Sequence, residues 1–132
     1  MSMKIVAEKS CWRKVGQVAS GNTIAADTFI KRSTTGWVAA GNGDKPEAIA
    51  IEGGTTLTDF VYSDEEGMVV EVEASGSALA VGAVAYLASA SKVDSGSQGD
   101  FCLGTVDYWD SPKTGYNRVT VSFVRAPVAA HA

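Results

Sequence analysis

The chain has 132 residues, of which 45% are apolar and 20% charged. That length suits one domain able to bury a core without disulfides or metals, and that balance lies far from the weakly apolar, highly charged signature of disorder. The net charge of −4 divides into +3 over the first 14 residues and −7 over the rest, and a net acidic body lacks the basic face that nucleic-acid binding needs, so no nucleic-acid partner is expected.

The N-terminus, MSMKIVAEKSCWRK, has no apolar core or cleavage site of a signal peptide. No run approaches the roughly 20 apolar residues that span a bilayer, so synthesis in a cytoplasm and no membrane partner are expected. Residues 1–20 mix charge with a lone Trp12 and little alternation, and read as an extended N-terminal arm. Residues 21–125 read as a single β domain, and residues 126–132 as a small-residue tail that Pro127 separates from the last strand.

Within the β domain, turn chemistry recurs at close intervals: Ser20-Gly21-Asn22, Gly41-Asn42-Gly43-Asp44, Gly53-Gly54, Ser75-Gly76-Ser77, Ser95-Gly96 and Gly99-Asp100. The segments between them predict strands at 28–32, 37–40, 48–52, 60–62, 68–74, 83–87, 101–108 and 118–124. In 68–74 the alternation puts Val70, Val72 and Ala74 inward and Glu71 and Glu73 in water. In 118–124 it sets Val119, Val121 and Phe123 against Thr120 and Ser122. No window carries a capped helical stripe, although a short helix at 56–61 competes with a strand there. The expected fold is therefore all-β, a small antiparallel β-barrel or sandwich of short strands. An internal match supports one plan used twice: at an offset of 55, Ile24 falls on Leu79, Phe29 on Val84, Val38 on Val93, Gly41 on Gly96 and Ile51 on Val106.

Residues able to do chemistry are few. The one histidine, His131, lies next to the chain end, which removes Ser-His and Cys-His nucleophilic schemes. There is no phosphate-binding glycine loop and no histidine or cysteine pair for zinc, and Cys11 and Cys102 read as free thiols. Asp64-Glu65-Glu66 reads as a solvated turn, and the Asp94 to Asp100 loop lacks the ligand spacing and closing Glu of a calcium loop. No enzyme activity, cofactor or metal is expected. Trp37 and Tyr86 sit in predicted strands and read as core, whereas Trp12 in the arm and Trp109 in the loop 108–117 are candidate partner contacts.

The stretch from Glu66 to Phe123 carries an ordered set of motifs: Gly82 to Leu87 as G-x-V-x-Y-L, Lys92-Val93, a turn at Gly99, Leu103 to Val106 as L-G-T-V, and Val119 to Phe123 as V-x-V-x-F. In this order they resemble the capsid decoration, or cement, proteins of tailed bacteriophages, and GNTIAADTFIK followed by GWVAA is similar to the opening of that family. The resemblance implies a structural virion protein on the outer capsid surface, a homotrimer that binds the major capsid protein at subunit junctions and stabilises the expanded shell. The arm has no counterpart in the family. For it, the expected mode is addition of Met3, Lys4, Ile5 and Val6 as a strand to a capsid edge, anchored by Trp12 or Arg13, so that deleting residues 2–14 would abolish binding and leave a folded body. Alternative readings are a receptor- or glycan-binding module using Trp109 and Tyr108 with Asp107 and Asp110, and a minor tail or baseplate component.

Overall fold

The computed structural model describes residues 3–8, 13–107 and 114–123, and within them the chain is all-β, eleven strands with no helix. In chain order the strands are β1 (Met3–Ala7), β2 (Lys14–Gln17), β3 (Thr28–Arg32), β4 (Trp37–Ala39), β5 (Ala48–Ala50), β6 (Asp59–Ser63), β7 (Val69–Ala74), β8 (Val84–Ser89), β9 (Lys92–Asp94), β10 (Cys102–Val106) and β11 (Tyr116–Val121). Each predicted strand has its counterpart. The helix considered at 56–61 does not form: Leu57 has φ 57°, a left-handed conformation that ends a helical turn, and Thr58 Oγ1 bonds Thr55 instead, leaving β6 to begin at Asp59.

The strands close into two rings. One sheet runs β2-β6-β5-β3-β4, and Val18 bridges Trp37 in parallel to join its two ends. The other runs β7-β11-β10-β8-β9 and closes by parallel pairing of Glu73 with Lys92 and Ala74 with Val93. The strand order is the same in both. So are individual hydrogen bonds: Ala19 N–H donates to Trp37 O as Ser75 N–H does to Val93 O, and Asp27 N–H donates to Ala50 O as Gly82 N–H does to Val106 O. Asp27 holds φ 59° where its counterpart is Gly82 at φ 89°, so the same left-handed turn is built once with glycine and once without. The internal match is thus a structural repeat. Its offset of 55 holds at Asp27 and Gly82 and becomes 56 at Trp37 and Val93, so Trp37 rather than Val38 is the counterpart of Val93.

Segments 3–7 and 14–17, expected to belong to an arm outside the β domain, are built into the sheets. β2 is a strand of the first ring, and β1 crosses to the second, where it lies antiparallel to β7 with Met3 opposite Val72 and Ile5 opposite Val70. Met3 is 2% exposed and belongs to the second ring's core with Met68, Leu87 and Leu103, and Ile5 packs against the same cluster. Alternation in Met-Lys-Ile sends the two apolar side chains inward and Lys4 outward, which is why so short a segment is held.

The two rings share apolar contact. The first has its own core of Val18, Ile24, Ile30, Trp37, Phe60 and Tyr62, with Ala48 and Ala50. Yet Phe29, Ala40 and Ile49 from its other face are buried in the core of the second. Backbone bonds follow the same junction, from Phe29 N–H to Ala90 O, Gly43 N–H to Leu87 O and Phe101 N–H to Gly43 O. Lys45 completes it, its ammonium donating to the carbonyls of Cys102 at 2.9 Å and Ser122 at 2.7 Å.

Candidate functional site

Two of the basic N-terminal residues, Arg13 and Lys14, are occupied within the chain. Arg13 bonds both carboxylate oxygens of Glu8, at 2.8 and 3.3 Å, and Lys14 bonds Asp64 at 2.9 Å. The hydrogen bond and charge of Asp64 push the Lys14 amine above its usual range. Lys4 stands opposite Glu71 across β1 and β7. Met3, Ile5 and Val6 lie in a strand that β7 holds by one edge, so the segment is part of the second sheet rather than a detached arm, and deleting residues 2–14 would remove β1 and the first residue of β2. The reason is local: Met3 and Ile5 repeat with the two-residue period of a strand, and β7 offers them an unfilled edge beside β9.

Trp12 and Trp109, the two candidate aromatic anchors, lie outside the described residues, as do Cys11, Tyr108, Asp110 and His131. Of the flanks of that loop, Asp107 accepts a short hydrogen bond from the Thr120 hydroxyl. Trp37 and Tyr86 are buried as core residues; Trp37 packs on Tyr62 with centroids 4.6 Å apart, and Arg32 lies over the Trp37 ring at 4.6 Å. Asp64 of the acidic run is engaged by Lys14, and Glu66 accepts from the Phe123 N–H at 2.6 Å.

Several acidic residues outside that run are tied into the fold. Glu71, expected in water, is 5% exposed and accepts from Arg118 Nε and Nη2 at 3.2 and 3.1 Å across β7 and β11. Asp94 Oδ1 accepts from Gly96 N–H, and Asp100 Oδ2 from Ser97 N–H, which makes the loop between them two local turns rather than a cage. Asp44 is partly buried, which opposes its charge, but Lys31 and the Gly41 N–H more than offset that and hold the carboxyl below its ordinary range. Among the described residues, no group of three or more His, Cys, Asp or Glu is arranged to hold a metal ion. The Cys102 thiol is half-buried and pushed up by burial, although Lys45 works the other way.

The surface feature that sequence reasoning missed is the edge of β2. Its residues are exposed except for half-buried Gly16, and Val15 shows 68% of its surface to solvent. A Cβ on Gly16 would lie 2.8 Å from the Trp37 ring and 3.0 Å from Tyr62, so the two rings pack straight onto the backbone there. Valine at 15, between two polar neighbours and one glycine, gives no alternation to read. Comparison with family models, with curated proteins and with solved structures gives no match to this chain.

Proposed function

We propose that the chain is a structural virion protein, not an enzyme, that decorates the outside of an icosahedral phage capsid. It binds the major capsid protein where subunits meet, acts as a homotrimer and stabilises the expanded shell. The observation that carries this reading is where the resembling motifs fall. The G-x-V-x-Y-L motif leads into β8, Lys92-Val93 opens β9, L-G-T-V lies within β10, and Val119 and Val121 lie in β11, so the whole set forms consecutive neighbours of one closed ring. A rigid barrel with short edges suits bracing, because repeated modest contacts on a symmetric shell add through effective concentration.

The test is saturation binding of the full chain to expanded shells assembled from the major capsid protein of the same genome, followed by sedimentation and by cryo-electron microscopy. The expected result is a fixed ratio of this chain to capsid subunit, threefold density at subunit junctions and a higher disruption temperature for decorated shells. Absence of saturable binding, or location on a tail, overturns the reading.

A further inference from the structure

The repeat exposes one difference between the rings. In the second, one edge of β7 is filled along its length: β9 pairs with Glu73 and Ala74, and β1 with Val69, Val70, Glu71 and Val72. In the first, the corresponding edge of β2 meets only the Val18 to Trp37 bridge, and no described strand pairs with residues 14–17 on that side.

Backbone direction identifies the groups left open. Val18 N–H donates to Thr58 O and Val18 O accepts from Leu57 N–H, so Val18 faces β6. By two-residue alternation Gly16 faces β6 as well, and Val15 turns its N–H and C=O away from it. In β7 the Ala74 N–H to Gly115 O bond sets the same phase, and Glu71 turns toward β1, where Lys4 is its partner. Val15 is therefore the counterpart of a residue whose place beside it is filled by a strand.

We propose that the open edge of β2 is a strand-addition site that takes an extended segment of a capsid subunit, antiparallel to β2, as β1 lies on β7. The identity of the partner rests on the function proposed above, whereas the site itself rests on the repeat. The strand is not β1 of a second copy, which is already committed through Met3 to its own core. The chemistry of the guest follows from the host. Val15 pairs across β2 and β6 with Val61 and is itself exposed, so an apolar residue belongs opposite it, where Lys4 stands opposite Glu71 in the other ring. Trp37 over Gly16 already seals the inner side, so the ring is closed without the guest's side chains and the guest residue beside Gly16 is small. Main-chain bonds at Val15 supply the affinity.

Two variants test the site in the full chain. Val15→Pro removes the outward N–H without touching the β6 ladder, a position where proline is tolerated. Val15→Lys keeps the N–H and replaces the apolar contact by a charge. Both should unfold at the wild-type midpoint and bind expanded shells at least about tenfold more weakly, the equivalent of one or two lost contacts. Amide exchange of wild type on shells should slow at Val15 and not at solvent-exposed turns. Wild-type affinity of either variant, or unchanged exchange at Val15, overturns the proposal; if Val15→Pro misfolds, Val15→Lys and the exchange measurement decide. If wild type does not bind shells, the capsid function fails, and the edge is judged separately with a synthetic peptide of residues 2–8 carrying K4V. Slowed Val15 exchange at millimolar peptide supports a strand-addition site, and unaltered exchange removes it.

Discussion

Glu71 is surrounded by the conditions that make a charge costly: it is buried in the middle of a sheet, and Arg118 supplies two donors to one of its oxygens. Removing one partner strands the other, so Glu71→Gln is expected to cost about 2–3 kcal/mol, while Glu71→Met with Arg118→Leu restores most of it. Urea midpoints of the three proteins check this, and a double variant no better than the single one would refute it. Asp44 sets a pH dependence of definite sign. Its folded pKa is depressed by Lys31 and Gly41, so its stabilisation is full above the unfolded value, about 4, and is lost as pH falls through the lower folded value. The stability gap between wild type and Asp44→Asn should therefore be present at pH 7 and shrink below about pH 4.

At the scale of elements, β1 does more for the fold than its five residues promise. Met3→Ala is expected to cost about 2–4 kcal/mol, as for other buried methionines, and to lower the thermal midpoint by roughly 10 °C. A surface arm would show no change. Strands with clear alternation, such as β7 and β11, were legible in the sequence, and so was the repeat, through apolar and glycine positions that recur at an offset of 55, such as Ile24 with Leu79 and Gly41 with Gly96. β1 and β2 were not, because four or five residues interrupted by Gly16 carry too little period to distinguish a strand from an arm. Nor could Glu71 be assigned to the interior, since the Arg118 that permits its burial is 47 residues away in sequence. The open edge of β2 could be recognised only beside the filled edge of β7, a comparison that needs the pairing and not the composition.

At the scale of the molecule, two repeats behave as one body because Phe29, Ala40 and Ile49 belong to the first ring by chain and to the second by packing. Phe29→Ala should cost about 3–5 kcal/mol and shift a single calorimetric transition without splitting it. Two separate transitions in wild type would show that the junction does not couple the rings. The placement of β1 has a further consequence during synthesis. It is made before every other described strand, yet the strand that receives it, β7, is made only after the entire first ring. Nascent β1 thus waits with Met3 and Ile5 uncovered while a comparable edge among the described strands, that of β2, is already made. Correct folding requires β1 to pass over this near neighbour for its later partner, and the two edges differ where Lys4 comes to stand: opposite Glu71 on β7, whereas the counterpart position on β2 is Val15.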